Sequence, residues 1–245
     1  MFLKKHLGQH FLNDKNILAK EAKTLEVRGK SVLEIGPGDG RFTEQLLLAG
    51  AKTIIAVEKD PRMAEILRER FASKPVEIIE ADFLETRPIK IERIAGNIPY
   101  YISSPILFRL TEFEFEKALL MVQDEFARKM VARPNESNYG RLSVTSQLFF
   151  KVKYVQRVSA NLFTPPPRVN SAIILLEKTN AEVGRDAEDI IRALYQHKNK
   201  TVRNALLDAG FEKEKLEKLG ELLKLRPRAL DLEKVLEICL KMSRG

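Results

Sequence analysis

Cysteine is almost missing from this chain of 245 residues. The single Cys239 excludes an intramolecular disulfide and any zinc site built on several thiolates. It falls in the apolar-periodic stretch 236–240, which marks it as a core residue. Long apolar runs are missing too: the longest, such as 118–122 and 172–176, fall far short of the ~20 residues that span a bilayer. Residues 1–10 are too polar for a secretory signal, so a soluble, cytoplasmic protein is expected. Acidic residues are absent from 137–176, a window that holds Arg141, Lys151, Lys153, Arg157 and Arg168. They are absent again between Asp189 and Asp208, where Arg192, Lys198, Lys200 and Arg203 stand. With 42 basic against 34 acidic residues and a net charge of +8, this segregation points to a polyanion-facing surface, since neutralising phosphates releases counterions. A generically basic, solvated surface is the competing reading.

What is present is an alternation. Apolar, β-rich runs at 31–35, 53–57, 76–79, 93–96 and 118–122 are separated by segments of helical period. That order predicts a parallel, doubly wound α/β sheet with helices on both faces. Two later β-rich runs, 151–158 and 171–177, flank the proline-rich connection Phe163-Thr164-Pro165-Pro166-Pro167 and should extend the sheet at one edge as an antiparallel pair. After Thr179 the pattern turns to short helical segments, which sets the expected division at 1–179 and 180–245. With 44% hydrophobic residues the chain is long enough for one full core plus a small appendage.

The first run ends in Glu34-Ile35-Gly36-Pro37-Gly38-Asp39-Gly40, a tight turn that lets a ligand approach backbone. The second ends at Glu58, 22 residues beyond Gly36, where a carboxylate can accept both hydroxyl hydrogens of a ribose. Together these imply an adenosine-containing cofactor. A dinucleotide fingerprint needs glycine or alanine at position 41, and Arg41 stands there. S-adenosylmethionine has no pyrophosphate to seat and needs no such spacing. Asp82, just after the third run, can accept a hydrogen bond from its adenine amine, and Phe83 can pack on its ring.

After the fourth run comes Asn97-Ile98-Pro99-Tyr100, at the sheet edge where such folds place their chemistry. The exocyclic nitrogen of adenine is a poor nucleophile because its lone pair is delocalised. The Asn97 side chain and an adjacent backbone carbonyl could bind its two hydrogens and aim the lone pair at a methyl group, so positioning does most of the work. Tyr100 could stack on a base turned out of its own stack, and Phe163 could close the other face. Asn97, Pro99, Tyr100 and Phe163 therefore form the expected catalytic set. A strand-ending turn with a buried tyrosine is the bland alternative.

With these motifs, and with Leu7-Gly8-Gln9-His10-Phe11-Leu12, Tyr139-Gly140-Arg141-Leu142-Ser143 and His197-Lys198-Asn199-Lys200-Thr201-Val202-Arg203, the chain resembles the ribosomal RNA adenine dimethyltransferases over nearly its full length. The resemblance implies a seven-stranded Rossmann-like methyltransferase sheet with a small C-terminal all-helical domain. It implies S-adenosylmethionine-dependent dimethylation of two adjacent adenosines near the 3′ end of small-subunit rRNA. His10 and Leu12 would touch the cofactor, His10 in a positioning role, and Gly36 and Gly38 would cradle its amino-acid part. Asn97 would also lie within cofactor contact. His10, and the short chain without a tail, look like the archaeal members. Arg141, Arg168, Lys198, Lys200 and Arg203 would contact RNA, with small-subunit rRNA or its precursor particle as partner and no metal, no membrane and a monomeric state expected. Adenine methylation of large-subunit rRNA, as in macrolide-resistance enzymes, and a non-catalytic ribosome-assembly factor remain open alternatives. A nicotinamide oxidoreductase is disfavoured by Arg41.

Overall fold

The computed structural model describes residues 10–179 and 186–243. In chain order the strands are β1 (Phe11–Leu12), β2 (Ser31–Ile35), β3 (Thr53–Glu58), β4 (Val76–Glu80), β5 (Arg93–Asn97), β6 (Lys117–Gln123), β7 (Phe150–Val158), β8 (Phe163–Thr164) and β9 (Ser171–Lys178). The helices are α1 (Lys15–Leu25), α2 (Arg41–Leu48), α3 (Pro61–Arg70), α4 (Ser103–Leu110), α5 (Asp124–Met130), α6 (Arg141–Phe149), α7 (Ala187–Gln196), α8 (Val202–Asp208), α9 (Lys213–Leu216) and α10 (Leu232–Ser243).

Local chemistry sets several of these boundaries. Asp14 caps α1 by accepting from the Asn16 and Ile17 amides, and Asp60 caps α3 with Pro61 in its first turn. Each such cap stabilises a helix start by ~1 kcal/mol by pairing amides that the helix leaves over. β2 and β6 read as nearly continuous apolar runs because helices cover both faces of the central sheet.

Seven strands form one sheet in the order β4-β3-β2-β5-β6-β9-β7. β2 pairs in parallel with both β3 and β5, and the outer pairs β3 with β4 and β5 with β6 are also parallel. The chain thus winds outward from β2 to β4, then returns to β5 and winds the other way. The carboxyl ends of β2 and β5 flank the point of reversal, where doubly wound sheets bind ligands. β9 runs antiparallel to β6, with Ala118 opposite Leu176. A two-stranded ribbon outside this sheet, β1 paired antiparallel with β8, has no counterpart in the sequence pattern.

Contacts divide the chain into two compact units, residues 1–127 with 153–178, and residues 128–152 with 179–245. This differs from a single boundary after Thr179. The reason is that α6 carries Val144 and Leu148 into the same buried cluster as Ile190, Ile191 and Leu194 of α7 and Ile238 of α10. Composition registers the change after Thr179 but not the earlier excursion. One core of the first unit joins α1 and α2 to one face of the sheet through residues such as Leu18, Phe42, Ala95 and Leu119. Full burial of each such aliphatic or aromatic side chain contributes ~1.5–3 kcal/mol. Cys239 is fully buried in the second unit's core, where burial pushes its thiol up to about 12.

Candidate active site

The carboxyl ends of β2, β3 and β5, together with the turn after β4, surround a cavity of about 300 Å3 in the first unit. The glycine turn after β2 forms its floor. Gly36 has φ +64° and Gly38 φ +58°, conformations that side-chain-bearing residues adopt only with strain. A Cβ built on Gly36 would meet nothing within 4 Å, so this backbone lies open to a ligand. One on Gly38 would come within 2.8 Å of the Phe11 ring, so the glycine there admits that ring.

Glu58 ends β3 and is buried. Its Oε2 accepts from the Gly38 amide at 3.0 Å and its Oε1 from the Asp60 amide at 2.8 Å. Burial raises its pKa, and the amides of Asp60, Gly38 and Lys59 oppose the rise. These amides do not exhaust the carboxylate's lone pairs, so it retains acceptor capacity for a diol. Asp82 caps a single 3-10 turn, Phe83–Glu85, through the Leu84 amide and receives Lys59 Nζ at 2.6 Å. Burial raises the Asp82 carboxyl, but the hydrogen bonds from Lys59 and Leu84 outweigh it and hold the group below its usual range. Phe83 lines the cavity and packs on Phe113 with ring centroids 5.2 Å apart.

Glu34, at the entrance to the glycine turn, is 1% exposed. Burial lifts its carboxyl to about 8, opposed by the Thr43 hydroxyl and reinforced by the charges of Glu58 and Asp39. Glu21 of α1, also fully buried, is itself raised by burial and by the charge of Glu34.

On the far side, β5 delivers Asn97 and the 3-10 turn Tyr100–Ile102. Asn97 Oδ1 is buried and has no hydrogen-bond partner among the described residues. Leaving an amide oxygen unpaired costs ~1–3 kcal/mol, so an acceptor placed this way in a cavity wall marks a position for a donor. Pro99 precedes Tyr100, whose hydroxyl bonds Ser171 Oγ at 2.7 Å and whose ring stacks on His10 at 6.1 Å and 25°. His10 Nδ1 donates to the Pro165 carbonyl at 2.7 Å, which leaves Nε2 as the ring's other polar atom. Phe163 does not sit on the proline loop; it begins β8, paired with Leu12, and its ring lines the cavity at 6% exposure.

The cavity thus gathers His10, Leu12, Gly36, Gly38, Glu58 and Asp82 with Phe83, Asn97, Pro99, Tyr100 and Phe163. Leu7, Gly8 and Gln9 of the first motif lie outside the described residues. Lys59, Arg41, Tyr101 and Ser171 also line it, and sequence reasoning gave none of them a role there. Lys59 could have been found as the cation directly after Glu58. Ser171 carried no signal, because it meets Tyr100 across 71 positions.

The five basic positions are not gathered in one unit. Arg168 is exposed in the first. In the second, Arg141 pairs with Glu188, which also accepts from Thr145 Oγ1 at 3.1 Å. Lys198 Nζ donates to the carbonyls of Ser137 and Tyr139, Lys200 pairs with Asp208 at 2.6 Å, and Arg203 is exposed. The Tyr139 to Ser143 motif proves to be internal scaffolding: Tyr139 is 1% exposed and donates to the Leu230 carbonyl at 2.7 Å, and Ser143 Oγ donates to Lys129. Among the described residues no three His, Cys, Asp or Glu side chains group to hold a metal, and no helix is long and apolar enough to cross a membrane.

The sequence model of the family "Ribosomal RNA adenine dimethylase" matches residues 2–233. The chain belongs to that family. Its curated relatives include a "Probable ribosomal RNA small subunit methyltransferase A" of Methanopyrus kandleri, 44% identical over 96% of this chain and 90% of that protein. Another, of the same description from Thermococcus onnurineus, is 42% identical over 91% of this chain and 84% of the relative. Among solved structures, a dimethyladenosine transferase from Plasmodium falciparum superposes with a TM-score of 0.82 at 30% identity, covering 96% of this chain and 98% of the other. The 23S rRNA methyltransferase ErmE gives 0.68 at 29% identity, over 94% and 99%. The family's sheet is the seven-stranded Rossmann-like methyltransferase sheet seen here.

Proposed function

We propose that this chain transfers methyl groups from S-adenosylmethionine to the N6 amine of two adjacent adenosines near the 3′ end of small-subunit rRNA. It would act as a cytoplasmic monomer on the RNA or its assembling particle. The observation that carries the reading is the buried, unpartnered Asn97 Oδ1 in the wall of the cavity that Glu58 and Asp82 also line. Family membership and the small-subunit relatives support the substrate.

The residues fit the cofactor. Open backbone at Gly36 leaves room for its amino-acid part, Glu58 retains lone pairs for the ribose hydroxyls, and Asp82 with Phe83 offers an acceptor and an apolar wall for adenine. When bound, S-adenosylmethionine supplies an electrophilic methyl group on sulfonium. Asn97 Oδ1 and a neighbouring backbone carbonyl hold the two hydrogens of the target amine and direct its lone pair along the line of transfer. Ser171 fixes the Tyr100 ring and the β1–β8 pairing fixes Phe163, so the flipped base enters between two aromatic surfaces already in place. The amine proton becomes acidic once the methyl group has moved, so no strong base is needed, and none of the cavity's groups is assigned that task. Exposed Arg168 and Arg203 serve as phosphate contacts.

The test is transfer of labelled methyl groups to undermethylated small subunits, large subunits and naked RNA, followed by nuclease digestion. Dimethyladenosine from small-subunit RNA is expected. Label confined to large subunits would shift the substrate to that of ErmE-like enzymes. No label despite measurable cofactor binding would overturn the catalytic reading in favour of an assembly factor.

A further inference from the structure

Arg41 is the first residue of α2, and its guanidinium reaches away from the helix in two directions. Toward the glycine turn, Nε and Nη2 bond the Asp39 carboxylate at 3.0 and 2.6 Å. Toward the segment that precedes α1, Nη1 donates to the Leu12 carbonyl at 3.0 Å and to Asn13 Oδ1 at 2.6 Å, with the guanidinium carbon 5.7 Å from the centre of the Phe11 ring. The Phe11 ring in turn lies against Gly38. The other edge of the same segment is held by backbone: Phe11 and Leu12 pair with Thr164 and Phe163, and the Asn13 amide donates to the Leu162 carbonyl at 2.8 Å. Residues 10–12 therefore form a strap, one edge carried by β8 and the other tied to the cofactor loop through Arg41, and all three line the cavity.

We propose that Arg41 is a positioning residue for cofactor binding: by bridging Asp39 to Leu12 and Asn13 it holds the strap residues His10, Phe11 and Leu12 against the glycine turn. The inference rests on reading the cavity as the S-adenosylmethionine site. The planar fork is what the position requires. A carboxylate on one side and two oxygens on the other are satisfied at once by the several donors of a guanidinium, whereas a lysine ammonium is a point charge that serves one side or the other. The bridge also explains why a long cation occupies a position where a dinucleotide-type turn needs a residue without bulk. Here the side chain leaves the helix axis and spans the turn instead of packing beneath it.

Arg41→Met, Arg41→Lys and Asn13→Ala test the bridge. Two quantities are measured: hydrogen exchange of amides 11–14 in the ligand-free protein, and equilibrium binding of labelled S-adenosylmethionine. For Arg41→Met we expect faster exchange confined to the strap, affinity lower by about tenfold or more, and turnover at saturating cofactor within about threefold of the parent. Arg41→Lys should resemble Arg41→Met, because charge alone does not bridge. Asn13→Ala removes one acceptor of Arg41 together with the Asn13 Nδ2 bond to Thr164 Oγ1, leaves α2 untouched, and should show a smaller change in affinity in the same direction. Unchanged strap exchange, or faster exchange with unchanged affinity, overturns the proposal, as does full function of Arg41→Lys. A parent protein that binds no S-adenosylmethionine would overturn the cofactor reading, while the exchange measurement would still judge the bridge.

Discussion

Replacing Glu34 by glutamine should change how stability depends on pH, by an amount set by its surroundings. The carboxyl is 1% exposed, its Oε2 has no partner among the described residues, and burial lifts it from 4.5 to about 8. Glu58 of β3 and Asp39 of the glycine turn face it with like charge, the buried Glu21 of α1 is itself raised by burial and by Glu34, and only the Thr43 hydroxyl opposes the rise. Below pH 4.5 both folded and unfolded chains hold the proton. Between 4.5 and about 8 the folded chain holds it and the unfolded chain does not, so the stability this group contributes is lost as pH rises through that window. At ~1.36 kcal/mol for each pH unit, the whole window is worth on the order of 5 kcal/mol. Glutamine does not titrate, and its amide left unpaired costs ~1–3 kcal/mol at every pH. The variant should therefore be less stable than the parent at pH 5 and more stable at pH 9. Urea denaturation at both pH values reads this directly, and contributions common to both proteins, including most of that of Glu21, cancel in the difference. A stability difference that stays constant to within ~1 kcal/mol from pH 5 to pH 9 would refute the reasoning.

Asn97→Ala should lower methyl transfer by ~100- to 1000-fold while largely sparing cofactor affinity, measured by single-turnover transfer alongside equilibrium dialysis; near-normal turnover would remove Asn97 from the mechanism. Glu58→Ala should act first on affinity, weakening S-adenosylmethionine binding by roughly 10- to 100-fold, and a loss confined to turnover would contradict its ribose role. Tyr139→Phe deletes the buried hydrogen bond to Leu230 and should cost the protein ~1–2 kcal/mol in thermal or urea unfolding without touching the cavity. Charge reversal at Arg168 or Arg203 should reduce the salt dependence of RNA binding by ~1 in log–log slope each, whereas reversal at Arg141 should chiefly destabilise the second unit by breaking its pair with Glu188. Equal slopes for all three variants would move the RNA surface elsewhere.

Much of this protein was legible in its sequence because the relevant information is local. The strands β2 to β6 follow from apolar runs of the right length, and the positions of Glu34, Glu58, Asp82 and Asn97 follow from where those runs end. In a parallel sheet all such ends lie on one edge, so sequence order alone brings the cofactor motifs together. The charge windows were less informative. An absence of nearby acids says nothing of Glu188, 47 positions from Arg141, or of the Ser137 and Tyr139 carbonyls that occupy Lys198. The sequence by itself determined the class of sheet and where its strands end, and with that which residues of β2, β3 and β5 line the cavity, since each strand and the turn after it are written in residues within a few positions of one another. Only the tertiary structure decided that β1 and β8 pair, that Ser171 orients Tyr100, that Arg41 ties the strap to the glycine turn, and that α6 belongs with the C-terminal helices. Those are contacts between distant segments, and their geometry is fixed by how the elements pack together.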